Sequence, residues 1–396
     1  MPAKSILICG AGIAGPALAY WLIRYGFEPT LIERAPSFRD GGYMIDVWGI
    51  GYEILECYGL RDAARARGYN FNRLQFVDEK GREVSGFGGE IFRGAFDDRF
   101  FSVPRGDLAH VIYETIDGKV ETLFGTTIRA LNEDDRGVEV QLTNGEIRRF
   151  DLVIGAGGLH SPVREMVFGP EEAFEKYLGY CVASFITTEY PHRDEGTYLS
   201  FARPGRQISR YAMRGGRTAF LLVYAADSPP AVAPHDVAGH KRLLHDRFGG
   251  DGWECPEILA RLDASNDLYF DPVEQIRMPQ WSRGRVALLG DAAYCPSLLA
   301  GAGSAFAMLG AYVLAGELHK ARGDHGIAFS RYEAKLSAFM RRQQENAVKF
   351  AGSFTPKTAF GVFLRDRVLN LMNIPPIGVW LTKQMLGEIY PLPDYN

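Results

Sequence analysis

Short apolar runs that end in glycine alternate along this chain with amphipathic stretches of helical period. Ser5–Cys9 is apolar after its first residue and runs into Gly10-Ala11-Gly12, which predicts a strand buried on both faces of a parallel sheet. Residues 16–25 continue as a helix carrying Ala17, Leu18, Trp21 and Leu22, stopped by Gly26, and residues 29–33 form a second short strand. Together these make a β-α-β unit. Residues 61–68 read as a polar helix, and residues 74–78 with Glu83-Val84 as a hairpin about Lys80-Gly81. Arg105-Gly106-Asp107-Leu108 opens a further helix to Thr115. Alternating residues 120–124, 128–132 and 137–142 predict strands, and Asn144-Gly145 turns the chain before residues 147–150. Residues 151–155 return to buried-strand character.

From about residue 176 to residue 271 the pattern changes. Residues 180–188, 197–201, 208–213 and 218–225 are strand-like and aromatic, followed by helices at 235–248 and 257–262. This predicts an antiparallel sheet in a second domain. Residues 286–289 are again a buried strand, and the remainder is helical at 305–321 and 327–349. An apolar tail spans 350–386, broken at Pro375-Pro376. The expected organisation is α/β plus β: residues 1–72, 100–175 and 272–325 in a discontinuous first domain, 73–99 and 176–271 in the second, and 326–396 as C-terminal helices.

Composition narrows the picture. A chain of 396 residues with 46% apolar content buries a full core. A net charge of −4 and a pI near 6.1 leave no basic footprint for nucleic acid. Five scattered cysteines without a Cys-x-x-Cys pair fit reduced thiols, and no leader or 18-residue apolar span is visible, so a cytoplasmic location is expected. His and Cys lack ligand spacing, so no metal is expected.

Two segments carry candidate chemistry. Gly10, Gly12 and Gly15 satisfy Gly-x-Gly-x-x-Gly, with Ile13 and Ala14 at the helix start, and Glu33 with Arg34 at the end of the second strand. The first glycine permits the tight turn, the second lets backbone approach a pyrophosphate, and the third packs helix on strand. The helix N-terminus faces the phosphates, and Glu33 accepts from a ribose diol. Far along the chain, Gly290-Asp291 follows a buried strand, and Pro296 and Gly301-Ala302-Gly303 precede a helix. An Asp at a strand end suits ribityl hydroxyls, and a helix N-terminus stabilises charge on a reduced flavin ring. This pairing selects FAD over NAD as the bound dinucleotide.

On these segments, with Gly41-Gly42-Tyr43-Met44-Ile45-Asp46, Arg105–Leu108 and the run 151–164, the chain resembles the group A FAD-dependent monooxygenases of the p-hydroxybenzoate hydroxylase fold. Within these it most resembles the tetracycline destructases and related natural-product oxygenases. The resemblance implies FAD, NAD(P)H as reductant, and O₂ adding at the flavin C4a carbon to oxygenate a large aromatic or polycyclic small molecule. It also implies Arg105 near the flavin phosphates or ribityl chain, Asp291 on the ribityl chain, and Gly41, Gly42 and Asp46 beside the ring. A monomer or homodimer fits equally. The family's Asp-Gly motif departs here: Gly157 stands where the acid is expected, which sets a non-redox cyclase beside the monooxygenase reading. Tyr294 stands where His is common, and His160 reads as a turn residue.

The candidate substrate face is Phe185, Tyr198, Phe201, Tyr211, Met213, Phe220 and Tyr224, with the loop from Pro296 opposite and ordinary core packing as the rival reading. Arg210 and Arg214 are placed to meet a polar substrate edge or solvent. By resemblance the tail bridges the two domains; core or dimer packing and a membrane-surface helix are the alternatives.

Overall fold

The computed structural model describes residues 4–38, 43–265, 267–386 and 390–395. Its first layer is a six-stranded sheet in the order Ser282–Arg283, Val286–Leu288, Leu152–Gly155, Ser5–Cys9, Glu28–Glu33, Glu121–Phe124. Every pairing except the edge pair Ser282–Arg283 with Val286–Leu288 is parallel. The central strand is covered on both faces, which is why Ile6, Leu7 and Ile8 read as an unbroken apolar run and are fully buried. The helices Ala14–Arg24 and Gly303–Lys320 pack together on this sheet. A small antiparallel meander, Ile128–Asp134, Gly137–Leu142 and Ile147–Phe150, interrupts the layer.

The second layer is a seven-stranded sheet in the order Tyr269–Ile276, Glu175–Thr187, Thr218–Ala225, Arg206–Ala212, Thr197–Arg203, Arg73–Val77, Glu83–Gly88. It is antiparallel except where Thr197–Arg203 meets Arg73–Val77. Helices Val237–Phe248 and Cys255–Ala264 cover one face. A two-stranded ribbon, Met44–Val47 with Phe101–Pro104, runs between the two large sheets, placing Ile45 in the core of the first and Met44 against the second. That strand alternation makes the ribbon a seam packed on both sheets.

The sequence pattern misplaced three features. Helices Gly49–Tyr58 and Glu90–Phe96 were not expected, and neither was the strand Tyr269–Ile276. Pro272 argues against a strand, yet Tyr269–Ile276 is a sheet edge, where a missing N–H is tolerated. Pro375-Pro376 do not break a helix but open one, Pro375–Leu386, where the first-turn N–H groups have no partner to lose.

At the other end of the chain, residues 390–395 return to the first layer. Tyr395 is buried over Gly316 and donates its hydroxyl to Glu317 (2.7 Å), while the Pro393 carbonyl accepts from Tyr312 (2.7 Å). No described helix is long and apolar enough to cross a membrane, and no described cluster of three or more His, Cys, Asp or Glu is arranged to hold a metal.

Candidate functional site

One cleft of about 280 Å³ lies between the layers, and both candidate segments line it. Gly10, Gly12, Ile13, Ala14, Glu33, Arg34, Arg105, Gly157, Asp291, Gly301 and Gly303 all reach its wall. The reason begins at Gly10, whose φ of 117° is closed to side chains and whose absent Cβ would overlap the Ala156 carbonyl. The turn therefore holds the strands Ser5–Cys9 and Leu152–Gly155 edge to edge at the cleft floor. Gly15 and Gly290 lie behind the wall rather than on it. A Cβ on Gly15 would overlap the Gly10 carbonyl, and one on Gly290 would lie 3.1 Å from Ala14 Cβ.

Glu33 is fixed by two backbone donors, Ala11 N–H to Oε2 (2.9 Å) and Ala35 N–H to Oε1 (2.8 Å). The Arg105 guanidinium stands over Gly12, 3.7 Å from where a Cβ would be. Burial pushes the Asp291 carboxyl up, and Arg105 opposes the shift. Asp291 faces the N-terminus of the helix Gly303–Lys320, where a Cβ on Gly303 would lie 3.6 Å from Oδ1. Ser297, on the adjacent loop, holds φ at 113°, a strained conformation for serine at the cleft wall.

Three sequence expectations land elsewhere. Asp46 leaves the cleft because Met44–Val47 alternates: Tyr43 and Ile45 line the wall, whereas Asp46 accepts from Ser102 and from Tyr198 (3.3 Å) on the other side. Burial raises its carboxyl above the ordinary range. Pro296 and Ala302 do not reach the cleft wall; the Pro296 carbonyl accepts from Gln275 (2.8 Å), and Ala302 caps the helix. Gly42 and Gly41 fall outside the described residues.

Of the substrate-face candidates, Tyr198, Tyr211 and Met213 share one face, the Tyr198 and Tyr211 rings 4.5 Å apart beside Met44 and Tyr69. Phe185 and Phe220 are corrected: they stack on each other at 4.8 Å on the opposite face, under Val237–Phe248 and Cys255–Ala264. Register explains it, since Tyr211 pairs with Ala219 and Phe220 is one residue out of phase. Phe201 and Tyr224 share that far core. Arg210 is also there, paired with Asp194 (2.7 Å) and Glu254 (2.8 Å), and Arg214 ties down the Gly68 and Ala66 carbonyls.

The second sheet also lines the cleft through residues that the pattern did not reveal: Tyr269, Asp271 and Glu274. Their signal was masked by Pro272. Asp271 accepts from Tyr269 (3.1 Å) and lies 3.6 Å from His160, whose other ring nitrogen meets Glu171 at 2.7 Å. The nearby Asp271 carboxylate and the hydrogen-bonded Glu171 push the His160 imidazole up to about 10. Burial, with Glu175 and Asp271 nearby, raises Glu274 to about 7. Beneath them Arg164, fully buried, pairs with Glu171 and donates to the carbonyls of Leu159 (2.6 Å) and Ala292 (3.3 Å), joining the two cofactor-facing segments.

Residues 3–343 match the family described as FAD binding domain. The chain is 37% identical over 354 residues to a flavin-dependent monooxygenase from an unknown prokaryotic organism, covering 89% of this chain and 90% of that protein. It is 31% identical over 433 residues to the FAD-dependent monooxygenase asL4 of Sarocladium schorii, covering 100% of this chain and 99% of that one. Among solved structures, the tetracycline destructase Tet(55) superposes with a TM-score of 0.84 at 32% identity, over 99% of both chains.

Proposed function

Because the chain belongs to the FAD-binding-domain family of flavoprotein monooxygenases, we propose that it uses NAD(P)H and O₂ to oxygenate a large aromatic or polycyclic natural product, with tetracycline-like molecules among the candidates. The observation that carries this reading is the cleft that gathers Gly10, Glu33, Arg105, Asp291 and Gly303 from distant parts of the sequence. The bare backbone at Gly12 and the Arg105 guanidinium above it fit an extended dinucleotide, with the Gly10 turn setting the floor. FAD, when bound there, supplies the redox and oxygen-transfer chemistry.

The roles we assign to the chain follow from position. Glu33 accepts from the adenosine ribose hydroxyls, and the N-terminus of Ala14–Arg24 with Arg105 balances the pyrophosphate. Asp291 accepts from the ribityl chain, and the N-terminus of Gly303–Lys320 stabilises negative charge at the ring. Tyr43, Tyr269 and Leu298 restrict water at the ring end. Substrate is assigned to the side of the second sheet that carries Tyr198; Tyr211 and Met213 are buried there against Met44 and Tyr69, and the Tyr211 hydroxyl has no hydrogen-bond partner among the described residues. We retain the division into a cofactor unit, a substrate unit and C-terminal helices (326–396) as part of this proposal, with the expected boundary at 271/272 moved to the end of the strand Tyr269–Ile276, which belongs whole to the second sheet. The monooxygenase names of the catalytic relatives favour oxygenation over a non-redox cyclisation.

The test is anaerobic mixing of the purified yellow protein with NADH or NADPH, with and without tetracyclines and other polycyclic aromatics. Bleaching of the flavin by a nucleotide, quickened by a ligand that is then oxygenated in air, is expected. Flavin that stays oxidised under every nucleotide and ligand overturns the NAD(P)H reading.

A further inference from the structure

The helix Ala359–Leu371 and the turn after it are mounted on the molecule by their polar residues. Asp366 accepts from the Ser85 hydroxyl (2.9 Å), and the Asn370 and Asn373 amides donate to the Val84 (3.1 Å) and Gly86 (2.6 Å) carbonyls. Arg365 lies over the Phe76 ring at 3.8 Å. Those amides cover the outermost strand of the second sheet, Glu83–Gly88, whose free edge would otherwise pair with another chain. The polar face is thus used inward, and the apolar residues point out. Phe360, Phe363, Leu364, Val368 and Leu371 recur at three- and four-residue spacing with exposures between 39% and 72%. No residue of this helix is buried, and Ile374, Trp380 and Met385 add further exposed apolar surface on and before Pro375–Leu386.

The charges beside this surface select its partner. Residues 356–386 hold Lys357, Arg365, Arg367 and Lys383 against one acid, Asp366, which is turned toward Ser85. Lys357, Arg367 and Lys383 are exposed, and Arg367 lies over the Phe363 ring at 4.9 Å, on the apolar stripe itself. The whole chain is at −4, so residues 356–386, with four cations and one acid, run against its overall charge. A second copy docked isologously would set these cations against their own duplicates. An anionic bilayer surface meets both the apolar stripe and the cations. We propose that Ala359–Leu371 and Pro375–Leu386 form a docking surface for anionic lipid, with Phe360, Phe363, Leu364 and Trp380 entering the headgroup layer. This goes beyond the oxygenase reading and does not depend on it.

The holoenzyme is sedimented with vesicles of phosphatidylcholine alone and with vesicles containing about a third phosphatidylglycerol. Binding to the anionic vesicles alone, weakened by salt, is expected, together with a blue shift of tryptophan emission that Trp380→Phe removes. Phe363→Glu with Leu364→Glu is expected to lower partitioning at least about tenfold, and Lys357→Gln with Arg367→Gln about fivefold per cation. Both variants alter exposed residues, so FAD content and melting temperature should match the parent protein. Failure to bind either vesicle, equal binding to both, or partitioning that ignores these substitutions overturns the proposal. So does a dimer in sedimentation velocity that Phe363→Glu dissociates while vesicle binding is absent, which would make a second copy the occupant.

Discussion

Gly10 is the position where one added carbon does most harm, because the overlap is with backbone that cannot step aside. Gly10→Ala meets both a positive φ and the Ala156 carbonyl. Strain alone costs about 1–3 kcal/mol, and the variant is expected to purify with most of its flavin absorbance gone. Glu274 gives a prediction in pH. Its folded pKa near 7 lies above the ordinary 4.5, so the folded state holds the proton more tightly. Stability from this group is complete below pH 4.5 and is lost as pH rises through 7. Each unit is worth about 1.4 kcal/mol before solvent screening in the cleft. Glu274→Gln, which cannot ionise, is therefore expected to melt higher than the parent at pH 8 by about 1 kcal/mol of stability, with the difference shrinking toward pH 5. A gap that widens on acidification would contradict the assignment.

At the scale of elements, the turn between Leu152–Gly155 and the helix Pro162–Phe168 shows what a motif predicts and what it leaves open. The glycine turn was legible because Gly10 needs a backbone conformation closed to side chains, whereas Arg105 was placed only by the family resemblance; the cleft gathers it with Glu33 and Asp291. Asp46, Phe185 and Phe220 were misread because a one-residue change of phase along a strand decides which face a side chain takes, and phase is fixed by the partner strand. Tyr269–Ile276 was invisible because an edge strand accepts the proline that sequence reasoning treats as a veto. Gly157 tests the remaining ambiguity of the motif. A Cβ there would sit 3.2 Å from Pro162 Cδ, a contact that a few tenths of an ångström relieves. Gly157→Asp is expected to retain FAD and to accelerate anaerobic reduction by NADPH in stopped-flow; an unchanged rate would show that the missing acid does not limit reduction.

For the whole molecule, the return of residues 390–395 to the first layer ties distant parts of the chain together. Tyr395→Ala removes a buried ring over Gly316 and the hydroxyl that donates to the buried Glu317 carboxylate. Large-to-small changes of this kind cost about 3–5 kcal/mol, so a marked fall in the denaturant midpoint is expected even though the residue is far from the cleft. The order of strands in the parallel sheet has a consequence in time as well as in space. Ser5–Cys9 lies between Glu28–Glu33 and Leu152–Gly155, and Leu152–Gly155 in turn waits for Val286–Leu288. Closing such long loops is slow, so refolding should pass through a phase in which the opening strand has only one neighbour. Until the later strands arrive, the nucleotide has half a berth, and added FAD should speed only the last step of renaturation.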